Sequence, residues 1–443
     1  MFVLQYVTCF FGGLCAAVFF LIAGKQFKSI YLSISLTAIF AFSAAWWRFV
    51  ADADVYIISI FFLLGTFLLI LPEEKRRPLA VAAAHILAMF FHQLAVLFFP
   101  VVVLGIWFQT AKLEKRERIL AIIKYAAAAF LMTFGMYFLS FYLISGGFDF
   151  KNFVNWLIFY APSAGFSPDF FESLRLTFRG HRQLFFDESS GLFQRSFLNF
   201  ALLAIFIAST LLLVIKLARR FWEIKIFWQD VVKKKIYRQP IAVLCIVWII
   251  PYLAFLFFFM PENLFYRLFY FPALVILIGT IFFVLFENLK TRQWRLALFA
   301  LVFGLYNFLF YIQPNSSVRE NTQTAAALQA KNIWSEKTVI FYNAEIFDDP
   351  HEANNRVVKY FNPTVAWKPL DFITLKQFED QISEIKSGGG TVWLDALAIK
   401  KLSADAQAAN WLKENSVEKA ELTVPRYNIK FIEIVPKTFG TQE

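Results

Sequence analysis

The residues best suited to chemistry are concentrated in the run Trp46-Trp47-Arg48-Phe49-Val50-Ala51-Asp52-Ala53-Asp54-Val55-Tyr56, where two long apolar stretches meet. Carboxylates at a membrane face are costly to desolvate, and they tend to be functional where they line a cavity. At a spacing of i, i+2, Asp52 and Asp54 can share a divalent cation such as Mg or Mn through hard oxygen ligands. Alternatively, one serves as a general base while the other orients a neighbour. A structural role competes with both, because Asp54 precedes an apolar run and there would cap a helix and complement its dipole. A second polar cluster, Arg175, Arg179, His181 and Arg182, has the composition to recruit an anionic lipid or phosphate, or to lie as a solvated basic patch near headgroups.

The elements that must position these residues belong to a membrane protein. Of 443 residues, 59% are hydrophobic and 58 are Phe, and the mean hydropathy is +0.57, more than one soluble core would use. Apolar runs near 3–23, 29–46, 54–72, 78–92, 94–108, 120–145, 197–216, 240–259, 265–286 and 296–313 predict about ten transmembrane helices, with a turn at His92-Gln93 between the short fourth and fifth. The net charge of +11 sits in this part: 28 basic against 15 acidic residues precede Pro314, and 15 against 17 follow. Basic loops are the signature of cytoplasmic flanks, so nucleic acid is not needed as a partner.

Those loops fix the orientation. Lys25 with Lys28, Lys75-Arg76-Arg77, Lys112 to Arg118, Arg219 to Arg238 and Lys290 to Arg295 all fall on one side, which is the cytoplasm. The opposite side holds Arg48, Asp52, Asp54, His92, Glu262, Arg267 and the long segment 146–196, whose aromatic residues from Phe148 to Tyr160 recur at near-helical spacing and predict an amphipathic interfacial stretch. In this orientation Met1 begins outside and already within a span, from which we expect an upstream helix with its external loop to precede it. Cys9, Cys15 and Cys245 lie in apolar runs and suggest neither a disulfide nor a zinc site.

From Pro314 the composition becomes that of a soluble domain. A helix over 318–334, strand 338–343, helix 375–387, a Gly388-Gly389-Gly390 turn, strand 391–397, helix 404–415 and strands 419–424 and 427–436 predict a small α/β domain. The expected division is thus 1–313, transmembrane with the external loop 146–196, and 314–443, soluble and extracytoplasmic.

The run Ala41-Phe42-Ser43, Trp47 and Ala51 to Tyr56 resembles the early segment of GT-C type polytopic glycosyltransferases, including bacterial members of the protein mannosyltransferase and aminoarabinose transferase groups. Lys75-Arg76-Arg77 with Ala80 to Phe91, His92-Gln93-Leu94-Ala95-Val96 to Pro100, and Pro261 to Arg267 ahead of a C-terminal α/β domain are similar to that family as well. The resemblance implies transfer of a sugar from a polyprenyl-phosphate carrier to a lipid, glycan or protein acceptor outside the cytoplasm, in a bacterial inner membrane. It implies Asp54 and Asp52 as the acidic residues, Arg267 and then Arg48 as binders of the departing phosphate, and His92, Gln93, Glu262 and Tyr56 as substrate contacts. The family's first acidic motif, in the loop after its first helix, has no counterpart here, in keeping with a missing upstream unit.

Two other functions are compatible with a polytopic chain. An O-antigen ligase or polymerase would work through the Arg175 to Arg182 cluster, against which the Asp52–Asp54 pair and the C-terminal domain count. A lipid or solute transporter would show ionisable residues within spans or paired broken helices in a repeat, and Pro100 and Pro251 are isolated.

Overall fold

The computed structural model describes residues 2–52, 55–71, 77–147, 149–157, 169–186, 204, 208, 211, 215, 240–261, 263–285, 293–316, 322–343, 358–359, 361–370, 374–417 and 431–435. The chain divides into two compact units, Met1–Ile312 and Gln313–Glu443.

The first unit is helical, as lipid requires of a chain that must satisfy its own backbone hydrogen bonds. Helix α1 spans Phe2–Phe27, and α2, Ile30–Ala41, starts at Ser29, whose hydroxyl accepts the Leu32 N–H at 3.3 Å. The run 29–46, expected as one span, is broken: α3, Ala44–Val50, leaves α2 at 64°. The break is stabilised by polar side chains, since the Ser43 hydroxyl donates to the Phe40 carbonyl at 3.0 Å and the Asn307 amide to the Phe42 carbonyl at 2.8 Å. Helices α4, Tyr56–Leu69, and α5, Pro78–Phe91, follow. His92 ends α5, and its Nδ1 accepts the Leu94 N–H at 3.1 Å to open a 3₁₀ helix, Gln93–Phe98, that continues as α6, Phe99–Gln109. The expected turn at His92-Gln93 is there.

Helix α7 runs from Lys115 to Ser145 and stops at Gly146, whose φ of 69° is the left-handed conformation that closes a helix readily only without a Cβ. It exposes Phe130, Leu131, Leu143 and Ile144, which are stable there facing lipid and would not be in water. The segment expected to be amphipathic forms α8, Phe150–Leu157, which buries Phe153 against Phe134, Phe138 and Phe141 of α7, and α9, Phe170–Phe185. Along α9 the buried positions are Ser173, Thr177, Gly180 and Leu184, a helical stripe of mostly small residues that admits close neighbours.

Helix α10, Pro240–Phe258, precedes a second broken element: in place of one span over 265–286 there is a four-residue α11, Leu264–Arg267, then α12, Phe271–Leu285. Helix α13, Gln293–Asn307, passes into a π turn, Phe308–Ile312. By length and composition, four described helices can cross a membrane and five if α2 and α3 count as one span; four further apolar helices have 10 to 17 residues. Of the ten runs expected from sequence, 197–216 lies outside the described residues apart from four positions, and several of the others form the shorter apolar helices or the bent pair.

The second unit holds a five-stranded mixed sheet in the order β2-β1-β3-β5-β4. The strands are β1 Thr338–Tyr342, β2 Ala366–Pro369, β3 Thr391–Asp395, β4 Ser416–Val417 and β5 Phe431–Ile434. Alternation splits the core between the faces: Ile340, Trp393 and Phe431 pack with Trp334, while Phe341, Leu394 and Ile432 pack with Phe378. The strand expected over 391–397 ends at Asp395, whose carboxylate accepts the Ala398 N–H at 2.6 Å and starts a helix, Ala396–Ala404, ahead of Ala406–Asn415. The edge strand β2 has no expected counterpart, since Ala-Trp-Lys-Pro is short, mostly exposed and ends in proline. Of the last two expected strands, 419–424 lies outside the described residues, and the described part of 427–436 holds β5.

Candidate functional site

The site is built around the shortest helix of the first unit. Asn263 caps α11 by accepting the Tyr266 N–H at 3.0 Å, which fixes the direction in which Phe265, Tyr266 and Arg267 leave the backbone. Trp248 of α10 donates its indole N–H to the Phe269 carbonyl at 2.9 Å and so ties down the chain just beyond. Phe265 and Tyr266 enter an aromatic wall. The Tyr56 ring lies 5.1 Å from Phe265, 5.9 Å from Tyr266 and 4.7 Å from His92, and His92 lies 5.1 Å from Phe269. Tyr56 and His92, both singled out from sequence, are therefore brought together next to the helix that carries Arg267.

Arg267 is fully buried. Its Nη1 donates to the Tyr270 hydroxyl at 2.9 Å and its Nη2 to the Pro261 carbonyl, while Nε has no acceptor among the described residues. Above it lies α9, which packs against α3, α10 and α11. Gly180 of α9 faces the guanidinium so closely that a Cβ there would stand 2.3 Å from Nε. The next residue, His181, places Nε2 at 3.0 Å from the Tyr270 hydroxyl and Nδ1 at 2.7 Å from the Thr177 carbonyl. Burial first, and the Arg267 charge second, hold the His181 imidazole below its usual value of 6.5, so it stays neutral. Helix α9 is fixed at both ends: Asp169 accepts the Phe171 and Glu172 N–H groups at 2.9 and 3.1 Å, and Asn307 donates to the Phe185 carbonyl at 2.9 Å.

Among the described residues no carboxylate pairs with Arg267. A buried guanidinium without a counter-charge is disfavoured by several kcal/mol, and an arriving anion would relieve that. The planar fork of Arg suits a phosphate or carboxylate.

The other sequence candidates are placed differently. Arg48 is exposed on α3, its guanidinium 5.5 Å from the centre of the Phe49 ring. Asp52 is exposed just after α3, and Gln93 is exposed at the head of the 3₁₀ helix. Asp54 and Glu262 lie outside the described residues, and so does any joint geometry of Asp52 with Asp54 around a cation. Among the described residues no three His, Cys, Asp or Glu side chains converge on a metal position. Arg175 pairs with Glu172 on the exposed side of α9 at 2.5 Å, and Arg179 and Arg182 are exposed as well. His181 is the member of that cluster that turns inward, and it joins Arg267, so two candidate groups that looked separate in the sequence share one residue cluster. His85 bridges the Tyr125 hydroxyl at 2.5 Å and the Ala95 carbonyl at 3.0 Å inside the bundle.

Sequence reasoning missed Tyr270, Gly180, Thr177 and Asn307. The i, i+3 spacing of Arg267 and Tyr270 was a usable signal, because residues so spaced meet on one helical face. The bonds of Asn307 to residues 265 and 122 positions away had no local signature.

No family model matches the chain, and no curated protein matches it. A solved structure does: the crystal structure of ArnT from Cupriavidus metallidurans bound to undecaprenyl phosphate, 12% identical, with a TM-score of 0.52 over 99% of this chain and 85% of that one. At this identity the likeness concerns the fold. The chain is an integral membrane protein whose fold is similar to that of ArnT.

Proposed function

We propose that this chain transfers a sugar from a polyprenyl-phosphate carrier to a lipid, glycan or protein acceptor on the extracytoplasmic side of a bacterial inner membrane, with Arg267 receiving the carrier phosphate. The observation that carries this reading is the buried Arg267 guanidinium, held by the Tyr270 hydroxyl and the Pro261 carbonyl and lacking a described counter-ion, in a chain whose fold is similar to that of a protein solved with undecaprenyl phosphate. In such a transfer the acceptor hydroxyl loses a proton, the sugar–phosphate bond breaks, and negative charge grows on the departing phosphate. A cation fixed beforehand at that position stabilises the charge as it develops, without reorganising. Asp54 is the carboxylate we assign to the acceptor proton, with Asp52 orienting it or joining it on a Mg or Mn ion. Tyr56 and His92 offer aromatic faces to the sugar, and Arg48, Gln93 and Glu262, expected on the same side of the membrane, supply polar contacts. Basic loops on the opposite side and the C-terminal unit outside complete this orientation.

The test is transfer from radiolabelled undecaprenyl-phosphoryl hexoses and pentoses to membrane lipid, glycan and protein by the purified chain in proteoliposomes, with and without divalent cations. The reading expects incorporation from at least one donor, nearly lost in Arg267→Ala. It is overturned if wild-type protein neither binds undecaprenyl phosphate nor incorporates any sugar, or if Arg267→Ala transfers as well as wild type.

A further inference from the structure

With the His181 ring neutral, the form that its burial beside Arg267 favours, the hydrogen bonds around Arg267 admit one proton assignment. Arginine only donates, so the Tyr270 oxygen accepts from Nη1. A carbonyl only accepts, so His181 carries its proton on Nδ1 and donates it to Thr177. In neutral imidazole Nε2 then has a lone pair, and the Tyr270 O–H donates to it. The 3.4 Å approach of Arg267 Nη1 to His181 Nδ1 is accordingly a contact between two donors and not a hydrogen bond. The result is a one-way chain from Arg267 through Tyr270 and His181 to the backbone of α9.

We infer that Tyr270 and His181 are positioning residues that hold the Arg267 guanidinium in the plane that receives the carrier phosphate, with Gly180 leaving the space in which it lies; this rests on the function proposed above. Three further observations support it. His181 sits on the amphipathic helix and Arg267 on α11, so the chain clasps two elements far apart in sequence. The Tyr270 ring is buried beside Tyr252, 6.3 Å between centroids, and cannot swing away. Arg267 itself would be free to rotate about four side-chain bonds were its fork not held at both nitrogens. The role of His181 is that of a neutral acceptor at Nε2 and not of a second cation.

The experiment compares binding of undecaprenyl phosphate and of undecaprenol, which lacks the phosphate, to the full chain in nanodiscs by native mass spectrometry. Tyr270→Phe keeps the ring and removes only the hydroxyl. It should weaken undecaprenyl phosphate binding about tenfold, the scale of one hydrogen bond to a charged group, and leave undecaprenol binding unchanged. His181→Ala should do the same, and His181→Gln, whose side-chain carbonyl can take the place of Nε2, should restore most of the affinity. A general packing defect would weaken both ligands together, which would overturn the inference, as would Tyr270→Phe binding undecaprenyl phosphate like wild type. If His181→Gln fails while His181→Lys restores binding, His181 acts as a cation and the assignment is wrong. Should wild type bind neither ligand, the functional reading falls and not the positioning role alone.

Discussion

Arg267 and Arg48 are cations expected on one face of the membrane, each beside an aromatic cluster, and their surroundings differ in what matters for holding an anion. Arg267 is enclosed by α9, α10 and α11, its fork bonded to Tyr270 and Pro261. Arg48 is exposed on α3, its guanidinium 5.5 Å from the centre of the Phe49 ring. In water a guanidinium's attraction for phosphate is screened, and its side chain must be ordered on binding; in an enclosed site neither deduction applies. The same contrast runs along α9, where His181 faces inward to the Arg267 chain and Arg175 outward to Glu172. Being basic near a membrane does not make a residue part of a site. Burial and fixed hydrogen bonds, with no carboxylate partner among the described residues, set Arg267 apart.

The difference can be probed by separating chemistry from binding. Asp54→Asn should lower the rate of sugar transfer by about 10² to 10⁴, the range for losing a general base, with undecaprenyl phosphate binding unaltered. A parallel loss of binding would place Asp54 in the phosphate site instead. Next in size, Arg267→Ala should weaken undecaprenyl phosphate binding by about 100-fold, against less than about threefold for Arg48→Ala. Equal losses would erase the contrast between the two regions. Gly180→Ala puts a methyl group inside van der Waals distance of the Arg267 Nε and should destabilise the unit by about 1–3 kcal/mol, seen as a lower melting temperature together with weaker phosphate binding. Wild-type behaviour of that variant would mean the guanidinium can move aside. Smallest of all, Arg175→Ala should leave the melting temperature and binding unchanged, because its partner Glu172 is exposed and on the same helix.

What could be read from the sequence follows the reach of each signal. Hydropathy and loop charge act over whole segments, so the membrane class, the turn at His92 and the amphipathic character of the stretches that form α8 and α9 were all legible. Helix breaks were not. Nothing in Phe42-Ser43 announces a 64° bend, because the bend is stabilised by Asn307, which is remote in sequence. Likewise Leu268 to Tyr270 read as the start of a span, although they interrupt it and place Tyr270 over Arg267. Arg267 could be named from its type and place, but its burial under α9, with no carboxylate partner among the described residues, depends on how the helices pack. His181 was visible only as one of four basic residues, and the packing of Gly180 against Arg267 tells it from the other three.

The most direct measurement is a cryo-electron-microscopy map of the full chain in nanodiscs with undecaprenyl phosphate. The account predicts phosphate density within hydrogen-bonding distance, about 3 Å, of the Arg267 guanidinium, with the Tyr270 and His181 contacts retained. Phosphate density beside Arg48, or at Arg179 and Arg182 on the outer side of α9 with Arg267 untouched, would contradict it.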